Sequence, residues 1–136
     1  MLGILNCMAV TARNATARPK RVRMGADDPL AASRVRYLAD VLGGARLAEV
    51  VGVNRSQPSR WITGEERPGP IAAPLLIDLE HVIARARLVW GETAASTWLV
   101  SANSYLGGAR PIDVLQLSGA APVLEALDAE TWGGAV

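Results

Sequence analysis

Five polar side chains crowd six consecutive positions: Arg55, Ser56, Gln57, Ser59 and Arg60. Arg and Gln suit base edges and Ser suits phosphate oxygens, so the run has the chemistry of a nucleic-acid reader. It can equally be the solvated polar face of a helical hairpin. A second group closes the chain: Glu125, Asp128 and Glu130, then Trp132 with Gly133 and Gly134. A large aromatic beside a glycine-rich end is the kind of anchor that dominates protein interfaces. The alternative folds Trp132 back on Leu124 or Leu127 as local core and leaves the three acids as a solvated helix face. Chemistry for catalysis is thin. The one histidine, His81, sits in a helical stripe, and the one cysteine, Cys7, has no partner for nucleophilic work in view. One of each makes no Cys/His metal site. Neither a phosphate-loop nor a dinucleotide-binding glycine motif occurs. The expectation is a protein that is not an enzyme and uses no metal or cofactor.

A length of 136 residues allows one domain or two small helical ones. Half the residues are hydrophobic and none is Phe, so the core should be Ala, Val, Leu and Ile. The lone cysteine excludes an internal disulfide framework and fits a reduced, cytoplasmic compartment. No apolar run reaches the roughly 18 residues of a membrane span, so no membrane partner is expected. Through Arg87 there are 13 Lys/Arg against 8 Asp/Glu; from Leu88 onward there are 1 and 5. A basic front and an acidic back suit two partners of opposite sign.

Residues 1–27 read as a basic extension, either an arm that contacts phosphates or a leader ahead of a start at Met24. Asp28-Pro29 should open a helix, with Leu30, Val35, Leu38, Val41 and Leu42 inward, and Gly43-Gly44 should stop it. Residues 68–74 are rich in proline and read as a linker. The longest helix is expected over Ala73–Trp90, its stripe running from Leu75 and Leu76 to Val89 and Trp90. A further helix is expected to run to Asn103 or Ser104. Tyr105-Leu106 packs before a break at Gly107-Gly108. Arg110-Pro111-Ile112-Asp113 starts another helix, with Val114, Leu115 and Leu117 as its apolar face. Gly119 precedes a last helix with Val123, Leu124 and Leu127 inward. No convincing strands are present, so the fold class is all-α.

Residues 45–64, ARLAEVVGVNRSQPSRWITG, resemble a helix-turn-helix of the phage-repressor, Xre-like kind. Ala48 is small where two helices cross, Gly52 stands at the turn, and Val53, Trp61 and Ile62 face inward. The resemblance puts Arg55, Ser56, Gln57, Ser59 and Arg60 on the end that enters a major groove. Pro58 departs from the pattern, which has a buried Val or Ile there. It is tolerated only if the helix starts late, with Ser56 as cap and Pro58 in the first turn.

TWLVSANSYLGGARPIDVL and GAAPVLEALDAETWGG resemble the toxin-binding domain of antitoxins in RES–Xre toxin–antitoxin modules, the Xre/MbcA/ParS-like type. The matching features are Trp98-Leu99, Asn103, Leu106-Gly107-Gly108, Arg110 to Asp113 with Leu115, and Gly119. This resemblance implies a helix-turn-helix part over 28–67 and a toxin-binding part over 75–136. Trp98, Gly107, Gly108, Arg110, Pro111 and Asp113 would be core and hinge. Glu125, Asp128, Glu130, Trp132, Gly133 and Gly134 would face a cognate RES-domain toxin, an NAD-consuming enzyme, and occlude its active site. Operator DNA and a homodimer, or a higher hetero-oligomer with the toxin, follow from the same resemblance. The competing reading is a stand-alone helix-turn-helix transcriptional repressor.

Overall fold

The computed structural model describes residues 28–133. The basic extension, Cys7 and Gly134 therefore lie outside the described residues. Among the described residues seven α-helices follow one another: α1 (Ala31–Leu42), α2 (Gly44–Val51), α3 (Gln57–Thr63), α4 (Ala72–Trp90), α5 (Glu92–Leu99), α6 (Pro111–Ser118) and α7 (Ala120–Gly133). A 3-10 turn over Ser104–Leu106 lies between α5 and α6. The fold is all-α, as expected.

Local chemistry sets the breaks. Gly43, Gly91 and Gly119 each close one helix and open the next. Pro111 takes the first position of α6, where its missing N–H is not needed. Asp28 does not cap α1 as expected, since the helix begins three residues later. Its Oδ1 accepts from the Leu30 N–H (3.0 Å), and its Oδ2 from Arg34 Nε (2.9 Å). Arg34 also pairs with Glu80, which ties this turn to α4. Ala72, expected in the linker, opens α4, one residue ahead of the expected start at Ala73.

One hydrophobic cluster runs through both expected parts. It joins Val35, Leu38 and Leu42 of α1, Leu47 and Val50 of α2 and Trp61 of α3 to Leu76, Leu79, Val82 and Ile83 of α4. Leu99, Ile112, Leu115 and Val123 complete it. Where α4, α5 and α7 meet, Ala86 and Ala95 are fully buried with Leu127, and Trp90 and Trp98 pack over them. The small alanines let the backbones approach closely, and the two indoles, 5.5 Å apart between centroids, cover the seam. Gly119 lies beside Asp78 and Asp128 bonds Arg85, so α7 runs in the same direction as α4.

Several expected inward residues face out. Leu30 (59% exposed), Val89 (42%) and Leu117 (88%) are on the surface. On α6 the covered face is Pro111, Ile112 and Leu115, where α4, α5 and α7 pack against it. Helix α5 ends at Leu99, four residues before Asn103, and Tyr105 is exposed rather than packed. Among the described residues no helix is long and apolar enough to cross a membrane.

Candidate functional site

Two ends of the molecule carry the residues singled out above. At the first, α2, a five-residue turn and α3 form a helix-turn-helix. Ala48 is buried at the contact, and Gly52 adopts φ +77°, a left-handed conformation that glycine enters without a Cβ penalty. The N–H groups of Gly52 and Val53 both return to the Ala48 carbonyl. Helix α3 starts at Gln57 after Ser56, with Pro58 in its first turn. The proline is buried, so it fills the core position without needing its absent N–H. Ser56 occupies the cap position, but its side chain makes no cap bond. Asn54 organises the turn instead: its Oδ1 accepts from both the N–H and the hydroxyl of Ser56, each at 3.1 Å.

Arg55, Ser56, Ser59 and Arg60 are exposed around the start of α3, and Gln57 is half-buried. Sequence reasoning missed a partner that two of them share. Gln57 Nε2 donates to Glu66 Oε2 (2.5 Å), and an Arg60 guanidinium N–H donates to Glu66 Oε1 (3.3 Å). The Gln57 bond, and then the Arg60 charge, hold the Glu66 carboxyl below its ordinary pKa. The only local signal was an acid six residues after Arg60.

At the second end, the loop between α5 and α6 is built around Asn103, the one buried polar residue of the described core. Its carbonyl accepts from Leu106 and Gly108, and its N–H donates to Ala109, closing the loop. Its side-chain Oδ1 accepts from the Tyr105 N–H (2.9 Å), and its Nδ2 donates to Glu130 Oε1 (2.5 Å). Gly107 and Gly108 have φ of +66° and +88°, so the chain can reverse here without strain. Arg110 grips Asp113 through two bonds of 2.7 and 2.9 Å. The pair lowers the Asp113 pKa and raises that of Arg110. Behind α6, Gln116 Nε2 donates to the Val50 carbonyl at the end of α2. Trp98 is half-buried and packs on both core clusters, and Pro111 is fully buried.

The acids of α7 are not equivalent. Glu125 is exposed. Asp128 is paired with Arg85 on α4 (2.5 Å) and Glu130 is held by Asn103, so both tie α7 down rather than simply facing solvent. Trp132 is 77% exposed and does not fold back as core. Gly133 ends α7 with the Tyr105 hydroxyl 3.4 Å from where a Cβ would stand. Tyr105 (57% exposed) and Trp132 therefore mark the same end of the molecule.

Fold and site together define an all-helical helix-turn-helix protein whose C-terminal helices close the same core and end in exposed aromatics. Residues 85–133 match the family described as the antitoxin Xre/MbcA/ParS C-terminal toxin-binding domain. The chain is also similar to a chain of the crystal structure of the M. tuberculosis MbcT–MbcA toxin–antitoxin complex, with 26% identity and a TM-score of 0.65. That likeness covers 77% of this chain and 96% of the other. No curated protein matches. The two findings support an antitoxin of the Xre/MbcA type.

Proposed function

We propose that the chain neutralises a cognate RES-domain toxin that consumes NAD, by covering the entrance to its active site with α7 and the residues that follow. The helical part from 75 to 136 carries this role. The helix-turn-helix part, 28–67, binds operator DNA and represses the operon, with Arg55, Ser56, Gln57, Ser59 and Arg60 as contacts. A two-fold dimer would read two half-sites. The protein acts by binding and occlusion, without catalysis of its own.

The observation that carries the toxin-binding reading is Trp132, left 77% exposed at the end of the segment that matches a toxin-binding domain. An indole can bury on the order of 150–250 Å² on contact, and the exposed Tyr105 stands at the same end, so the two aromatics can serve one interface. Glu125, exposed on the same helix and in no ion pair among the described residues, adds a negative charge suited to a basic pocket that takes NAD phosphates. Asp128 and Glu130 instead hold that helix in its place.

The test is titration of purified toxin with the whole chain and with Trp132→Ala, each checked by thermal unfolding. The expected result is a loss of at least 2 kcal/mol in binding, the order of an interface hot spot, with unfolding unchanged. Equal affinity, or a loss matched by destabilisation, overturns the assignment of Trp132. A whole chain that does not bind the toxin leaves the stand-alone repressor as the account.

A further inference from the structure

Glu66 lies just after α3, outside the reader run, yet it is held against it. Its backbone N–H donates to the Arg60 carbonyl (3.2 Å), which turns the chain back onto the end of α3. The side chain then lies over the outward face and gives one carboxylate oxygen to Gln57 and the other to Arg60. These residues stand one helical turn apart, so they share a face of α3. Each is a side chain with rotamer freedom to lose on meeting a base.

We propose that Glu66 is a positioning residue for base reading, fixing Gln57 and Arg60 as a preset pair. This rests on the DNA-binding reading above. A carboxylate only accepts, so the amide nitrogen of Gln57 must face Glu66 and its carbonyl oxygen must face away. One amide N–H and that oxygen stay free, the donor–acceptor pattern that matches adenine N7 and N6. Arg60 uses one terminal nitrogen on Glu66 and keeps its Nε and the other terminal nitrogen, a fork that matches guanine O6 and N7. Glu66 thus spends one donor of each reader and presets the rest. Its negative charge also opposes loose phosphate contact, which lowers sequence-independent binding. Affinity for the wrong DNA and affinity for the right DNA therefore respond to Glu66 in opposite directions.

The experiment compares the whole chain with Glu66→Ala and Glu66→Gln at one salt concentration. The probes are the duplex immediately upstream of its own reading frame and a shuffled duplex of the same composition. For Glu66→Ala, binding to the shuffled duplex should rise and binding to the upstream duplex should fall. The ratio of the two should drop about ten-fold, the scale of one bidentate base contact. Glu66→Gln keeps one acceptor and should fall between. In a cycle with Gln57→Ala, the double variant should lose no more than Gln57→Ala plus a fraction of Glu66→Ala. Parallel gains on both duplexes, or strict additivity in the cycle, overturn the proposal while leaving DNA binding intact. If the unaltered chain does not prefer the upstream duplex, the DNA-binding reading fails and takes this proposal with it.

Discussion

Asn103 carries more of the C-terminal architecture than any other single polar residue. Its side chain closes the Tyr105 turn and holds Glu130 of α7, and both bonds are part-buried. Asn103→Ala leaves a backbone N–H and a carboxylate without their partner, a cost of about 1–3 kcal/mol. Thermal unfolding should fall by roughly 5–10 °C. An unchanged Tm would mean that the loop and α7 do not depend on this link. Asp78 works the other way. Burial between α4 and the start of α7 raises its pKa, and the nearby His81 only partly offsets this. A carboxyl with a raised folded pKa contributes stability below its unfolded pKa of about 3.9, and that contribution is lost as pH rises through the folded value. Asp78→Asn should therefore unfold at a higher temperature than the unaltered chain at pH 7. The gap should close as pH falls below about 4. A gap of the same size at both pH values would remove the burial account.

At the scale of elements, much was legible and the reasons are local. Glycines that end helices and prolines that begin them are read by neighbours in sequence, so α4 and α6 emerge within a residue or two of their expected bounds, whereas α7, expected over 121–127, starts at Ala120 but runs on to Gly133. Pro58, the departure from the helix-turn-helix pattern, takes the one place in α3 that tolerates it. Which face of a short helix is covered is not a local property. Leu117 fits the apolar stripe of α6 as well as Leu115 does, but only Leu115 joins the core cluster, and Leu117 stays in water. Links between elements were equally invisible: Arg85 and Asp128 are 43 residues apart, and Asn103 and Glu130 are 27 apart. Periodicity marks such residues as polar and outward without saying what lies opposite. Helix α7 also supplies Val123, Ala126 and Leu127 to the core. A chain cut after Leu117 should therefore fail to unfold cooperatively, since burying one leucine alone is worth about 2–5 kcal/mol and whole domains have about 5–15. A sharp melting transition in that truncation would contradict the packing described here. The point variant at Trp132 is the cleaner probe of contact, because that side chain is outside the core.

Across the whole molecule, the helix-turn-helix and the C-terminal helices share one hydrophobic cluster, and Gln116 is bonded to the end of α2. The polar run at α3 and the exposed aromatics near Gly133 thus belong to a single packed unit. Most of the basic excess through Arg87 falls in residues 1–27, outside the described residues. The proposed role is neutralisation of an NAD-consuming toxin. Its most direct test is the NAD level in cells that make the RES-domain product of the neighbouring reading frame, with and without this chain. NAD should collapse when the toxin is made alone, hold when the whole chain is made with it, and fall again when the chain carries Trp132→Ala at equal abundance. NAD that falls equally with and without the whole chain would contradict the account.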